Sequence, residues 1–320
     1  MLHILLVTFP FFALVLAGYG AARWRLLPLE AIPGLNGFVL FFALPCMLYR
    51  FGSTTPIAQL LDTRVAGLYL FCGLLVVAGT IAMTLNARVR WNDAALGALV
   101  AAFPNSGFMG VPLIVALLGP SAAGTVILTM VVDMVVTSSL CIALSRLDGA
   151  QGRGRSAVLT AARKALRGVV ANPMPWAILL GGMASAWALR LPKPVEQTVW
   201  LLADSASPVA LFTIGAVLAR AQMTANHPMP LFDYVPVALI KLFVHPLLVF
   251  AVGWLAIRAG MPLSPSALTV MVLVAALPSA SNVSMLAERF GADNGRIARI
   301  ILLTTAAAFL TFSAAVALLT

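Results

Sequence analysis

Charge is scarce in this chain. Only 9% of its 320 residues are Asp, Glu, Lys or Arg, where soluble domains carry about a quarter. That scarcity excludes an ordinary water-soluble domain. Cysteine is scarce too: Cys46, Cys72 and Cys141 sit in apolar text without CxxC spacing, which indicates neither a disulfide framework nor a metal site and reads them as small core residues. The histidines are His3, His227 and His245, and no HExxH-like spacing links them. No serine lies in a GxSxG context. An intramembrane enzyme is therefore not expected, and no cofactor or metal is called for. No Lys or Arg precedes the first apolar run, "MLHILLVTFPFFALVLAGYG", as a cleavable signal peptide would require, so that run reads as a membrane span.

What the chain has in abundance is long apolar runs. Hydrophobic residues make up 62% of it and the mean hydropathy is +1.02. A spanning helix needs about 20 mostly apolar residues. The sequence supplies ten such windows, near 4–22, 35–51, 65–86, 94–118, 122–145, 170–189, 196–219, 233–257, 265–287 and 297–319. The expectation is an all-α integral membrane protein.

The formal charge of +10 does not point to nucleic acid, because the basic residues are scattered through short loops. Fourteen, among them Arg88, Arg146, Arg153, Arg163, Lys164, Arg220 and Arg296, follow the odd-numbered spans, and five, Arg50, Arg64, Arg190, Lys193 and Arg258, lie on the other side. The positive-inside rule then puts the central linker in the cytoplasm and both termini outside, in a cell (inner) membrane. The linker itself, "SRLDGAQGRGRSAVLTAARKALRG", is Gly-rich and basic, and its end reads as a short amphipathic helix on the membrane surface. It divides the chain into residues 1–145, a linker over 146–169, and residues 170–320, with five spans in each half. An odd number per half makes the second half enter the membrane from the opposite side, so homologous halves would be inverted repeats.

Two spans are interrupted at corresponding places. Span 4 reads "FPNSGFMGVPLIVALLG" and span 9 "LPSASNVSMLAERFG". Pro104, Pro112 and Pro278 remove the amides that would bond the carbonyls of Val100, Phe108 and Val274. Such breaks persist in lipid only where protein or a wet cavity satisfies the backbone. At about 1.5 Å per residue, Pro104 and Pro278 fall about 15 and 20 Å into their spans, near the midplane. A half-helix starting there presents free amides and a positive dipole end to an anion, with Asn105 or Ser106 and Ser281 or Asn282 as natural N-caps. Paired interrupted spans of this kind point to a secondary transporter's substrate site.

These stretches, together with "LIKLFVHPLLVF" in span 8, resemble the bacterial branch of the auxin efflux carrier family, which includes malonate-transporter-like members, over essentially the whole chain. The resemblance implies ten spans as two inverted five-helix repeats, with spans 4 and 9 crossing at their breaks. It also implies a homodimer in which spans 1, 2, 6 and 7 form a scaffold, while spans 3 to 5 and 8 to 10 carry the site across the membrane as an elevator. By that likeness Pro104 and Pro278 are the prolines of the crossing and Asn105 and Asn282 the asparagines beside it. Ser106, Gly107, Gly110, Ser279 and Ser281 complete the expected substrate-binding set. The substrate implied is a small organic anion, a carboxylate such as malonate or an auxin-like acid. Plant members commonly carry a long loop between the halves, and this linker is short.

Asp133, Asp204, Lys241 and His245 interrupt otherwise apolar spans, where ionisable groups are expensive and by default functional. Lys241 and His245 are four apart and share a helix face. Two readings stand side by side: coupling or support of transport, and a structural Asp to Lys pair. An anion channel, or a receptor or scaffold without flux, is the alternative to a carrier, although no ring of charges or repeated filter motif is present.

Overall fold

A computed structural model describes residues 2–86, 88–146, 173–224 and 229–320. The expected linker beyond Arg146, its amphipathic end, the first residues of span 6 and His227 lie outside the described residues. Those described form helices and no strand. Seven helices are long and apolar enough to cross a membrane: α1 (Ile4–Arg23), α2 (Leu29–Thr54), α3 (Ala58–Thr84, whose regular helix begins at Thr63), α6 (Pro120–Ser145), α8 (Lys193–Met223), α9 (Val235–Arg258) and α12 (Asn294–Leu319). The other helices are shorter: α4 (Trp91–Ala102), α5 (Ser106–Leu118), α7 (Pro173–Ala186), α10 (Pro265–Ala276) and α11 (Asn282–Phe290).

Local chemistry sets the helix ends. The Asp62 carboxylate accepts from the amides of Arg64 and Val65 at the start of α3, Ser264 accepts from Ala267 at α10, and Asp293 accepts from Arg296 at α12. Each satisfies donors that a first turn leaves unpaired. The predicted span 4 is two helices, α4 and α5, separated at Phe103–Asn105. The predicted span 9 is likewise α10 and α11, separated between Leu277 and Ser281. Four π segments, Val39–Ala43, Ser106–Gly110, Asp133–Thr137 and Ile240–Val244, widen longer helices. Three of them end two residues before a proline, Pro45, Pro112 or Pro246, where the missing amide already disturbs the ladder.

The most extensive packing falls in two sets of helices, which also touch each other where α1 and α8 meet α5 and α12. In the first, α1 lies along α8, and α2 packs against both α7 and α8. Glycine makes the α1–α8 contact close: a Cβ on Gly18 would come within 1.8 Å of the Phe212 carbonyl oxygen, and one on Gly215 within 1.8 Å of the Val15 carbonyl oxygen. Small residues at such crossings let membrane helices approach backbone to backbone. In the second group, α3 packs against α4, α6 and α9, and α10 against α9 and α12. Large apolar side chains such as Leu16, Phe41, Leu180, Leu247, Trp254 and Leu310 point outward, as expected for a lipid-facing surface.

Candidate functional site

The two helix breaks meet. Pro104 and Ser279 form an isolated antiparallel bridge, made by Asn105 N–H donating to the Pro278 carbonyl at 2.8 Å and Ala280 N–H donating to the Phe103 carbonyl at 2.9 Å. Each break therefore satisfies part of the backbone that the other exposes. The bridge draws four helix ends together: the C-terminal ends of α4 and α10 and the N-terminal ends of α5 and α11.

Asn105 occupies the N-cap of α5, but its side chain makes no cap bond. Its carbonyl accepts instead from Met109 at 3.1 Å and Gly110 at 2.9 Å. The residue is 5% exposed, its side chain has no hydrogen bond among the described residues, and it lines a cavity. Ser281 occupies the N-cap of α11, again without a side-chain cap bond, and the Asn282 Oδ1 is buried with no partner among the described residues. Among the described residues, the amides of Gly107, Phe108 and Asn282 take no backbone acceptor. Unbonded backbone amides at two helix starts are what an anion needs, whereas the Asn282 Oδ1 is an acceptor, so only the Nδ2 of that side chain could donate to one.

The remaining expected residues fall around this point. Ser106 is fully buried and donates its hydroxyl to the Pro104 carbonyl at 3.2 Å. Gly110 packs closely, since a Cβ there would lie 2.7 Å from Leu277 Cδ1 and would have to displace the end of that side chain. Gly107 faces Met130 Sδ, 3.3 Å from where its Cβ would be. The Ser279 amide donates to Thr304 Oγ1 at 3.3 Å, while its own hydroxyl is buried without a partner among the described residues. The Phe108 carbonyl, freed by Pro112, accepts from Ser207 Oγ of α8 at 3.4 Å.

Two small cavities flank the crossing and share Phe108 and Asn282. One is lined by Leu44, Pro104, Asn105, Gly107 and Met134. The other is lined by Asn36, Arg220, Ser281 and Glu288. Each leaves about 20 Å³ open to a water-sized centre, room for about one water, so a carboxylate enters only if the walls part. Arg220 is a residue that sequence reasoning assigned to a loop. It stands inside α8, and its place after an apolar run was a sign of topology alone.

The ionisable residues sort into separate places. Asp133, 1% exposed, accepts from Tyr69 O–H at 3.1 Å and Thr137 Oγ1 at 3.1 Å. Lys241 and His245, both 0% exposed, are 3.3 Å apart from Nζ to Nδ1, and Lys241 Nζ donates to the Ala275 carbonyl at 2.8 Å. The Tyr69 and His245 rings lie 6.0 Å apart, so Tyr69 joins the two sets. Among the described residues no ion pair links Asp133 to Lys241; Arg50 and Asp204 form one at 2.6 Å, with an Asp204 side chain 66% exposed. Asp204 thus belongs to the packing of α2 on α8 rather than to the buried cluster. Arg296, counted as a loop residue by its sequence position, is 3% exposed. Its Nε donates to the Asp233 carbonyl at 2.7 Å and its Nη1 to the Asp93 carbonyl at 2.9 Å, which ties the starts of α4 and α12 to the turn before α9.

The membrane transport protein family matches residues 3–316. The chain is 29% identical over 299 residues to a Rhizobium meliloti (strain 1021) protein named "Putative malonate transporter", covering 92% of this chain and 89% of that protein. It is 25% identical to "Uncharacterized transporter YfdV" of Escherichia coli (strain K12), covering 88% and 86%. It is 24% identical over 151 residues to auxin efflux carrier component 4 of Arabidopsis thaliana, covering 46% of this chain and 24% of that protein.

Proposed function

The chain belongs to the membrane transport protein family, as its motifs indicate, and from that premise we propose that it is a secondary carrier of small organic anions, with carboxylates such as malonate as substrates. The observation that carries the reading is the bridge between the two breaks, with the Asn105 side chain and the amides of Gly107, Phe108 and Asn282 left for a ligand. A carboxylate held there would accept from α5 and α11 at once. Asn105 and Asn282 orient it, the amides bind it, and Ser279 and Ser281 supply further donors.

The proposed movement is an elevator. The group containing α3–α6 and α9–α12 carries the crossing past the group containing α1, α2, α7 and α8. The supporting observation is that the most extensive packing lies within each of those groups, although α1 and α8 also touch α5 and α12, and Ser207 of one group touches Phe108 of the other. In this reading α4 with α5, and α10 with α11, are single interrupted spans. The chain then crosses ten times as two inverted repeats of five, with both termini outside an inner membrane. A homodimer through the first group completes the proposal. The reading is a carrier and not an enzyme, in keeping with the transporters it matches.

Exchange of labelled malonate in proteoliposomes tests this, run against unlabelled mono- and dicarboxylates and beside Asn105→Ala. Saturable exchange that the substitution abolishes is expected. Exchange unaffected by Asn105→Ala, or none by folded wild-type protein with any of these acids, would sink the reading.

A further inference from the structure

A crossing of two broken helices collects two N-terminal and two C-terminal ends. Each N-terminal end is equivalent to about half a positive charge and each C-terminal end to about half a negative one. Taken alone, the four ends cancel and give the crossing no preference for the sign of a ligand. Among the described residues, a basic side chain breaks this balance at the end of α10.

In an uninterrupted helix the Ala275 carbonyl would accept from the amide of Ser279. That amide is instead turned to Thr304 Oγ1, and the freed carbonyl accepts from Lys241 Nζ at 2.8 Å. The side-chain nitrogen of Lys241, on α9, thus caps the C-terminal end of α10, within the last turn before Leu277–Pro278. Among the described residues, no basic side chain bonds the last carbonyls of α4. Lys241 has no carboxylate within ion-pair distance among the described residues. Its second neighbour is His245 Nδ1; Asp133, held by Tyr69 and Thr137, is near enough for its charge to act on Lys241 but makes no contact with it. A buried charge without a contacting counter-charge is costly, and an anion at the crossing would relieve that cost.

We propose that Lys241 is a positioning residue that sets the charge selectivity of the crossing: by neutralising the C-terminal end of α10 through the Ala275 carbonyl, it makes the crossing favour dianions over monoanions. This rests on the carrier reading above, and the ligand never needs to touch the ammonium. A residue that served only to hold α9 on α10 would weaken all ligands alike. A residue that acts through its field weakens them in proportion to their charge.

The test is the half-saturation of exchange for malonate and for its monoanionic half-amide, at one pH at which malonate is doubly ionised, in wild type, Lys241→Gln and Lys241→Ala. Glutamine keeps a donor for the Ala275 carbonyl and removes the charge. Alanine opens a space that added methylammonium can fill. If the charge acts, loss of about 1 kcal/mol per ligand charge is a rise of about fivefold for the half-amide and about twenty-fivefold for malonate, and methylammonium restores malonate affinity in Lys241→Ala. Equal losses for the two ligands, or wild-type discrimination in Lys241→Gln, would overturn the proposal. Should one variant fail to yield a monodisperse protein, the other decides by the same ratio. Absence of exchange by the wild type would defeat the carrier reading itself, and this inference with it, whereas normal wild-type exchange with unchanged variants defeats this inference alone.

Discussion

Asn105 donates its backbone amide to the carbonyl of Pro278 at 2.8 Å, although the two residues belong to different halves of the chain. The contact is possible because both helices are interrupted beside a proline, and the extended backbone on each side of the break turns its amides and carbonyls outward to the other chain segment. Joined by the matching bond from Ala280 to Phe103, it commits both backbones to each other and leaves the Asn105 side chain unbonded. The backbone of Asn105 thus serves stability, and in the proposed reading its side chain is left to serve ligand binding.

Asn105→Asp separates those roles. The backbone bond is retained, so thermal stability should change little, while a carboxylate in place of the amide repels an anionic ligand. The expected result is loss of malonate exchange in a protein that elutes and melts as wild type does; retained exchange would count against an anion at this side chain.

Ser279→Ala removes a hydroxyl that is buried without a partner. Deleting an unsatisfied polar group is neutral or stabilising, so the melting temperature should hold or rise. If the hydroxyl meets the ligand, the half-saturation for malonate rises at the same time, by about tenfold for one lost hydrogen bond of about 1.4 kcal/mol.

Tyr69→Phe and Thr137→Val each take a donor from the buried Asp133 carboxylate. A loss of about 1–3 kcal/mol in stability is expected for each. Asp133→Asn in the Tyr69→Phe background should recover part of it, since the remaining group no longer has to be buried as an ion. Denaturation in detergent, read by tryptophan fluorescence, checks the order.

Gly18→Leu and Gly215→Leu should prevent normal assembly of α1 on α8, because even a Cβ would stand 1.8 Å from a facing carbonyl oxygen. Gly34→Ala, with nothing within 4 Å of its Cβ, is the control expected to behave as wild type. Size-exclusion profiles of fluorescently tagged protein distinguish the outcomes.

The apolar runs and their interruptions were legible in the sequence. Hydropathy is a local property, and the loss of an amide at Pro104 or Pro278 follows from the residue itself, so the breaks and the asparagines near them could be found without a structure. The N-caps were legible in position but not in bonding: Asn105 and Ser281 stand where a cap belongs, and neither side chain bonds as one. The pairing of buried charges was not legible. Asp133 and Lys241 suggested each other only as opposite charges in apolar text, whereas one is held by Tyr69 and Thr137 and the other by a carbonyl at the end of α10.

By itself, then, the sequence determined that the chain lives in a membrane, where its helices are interrupted, and which polar residues stand at those interruptions. Only the tertiary structure decided that the two interruptions meet, that Asp204 belongs to Arg50, that Arg296 is buried and that Lys241 caps α10. The physical reason is that apolar helices are nearly interchangeable in composition. Which faces meet depends on shape complementarity between residues tens to hundreds of positions apart, and a buried polar group takes whichever donor or acceptor that packing brings within reach.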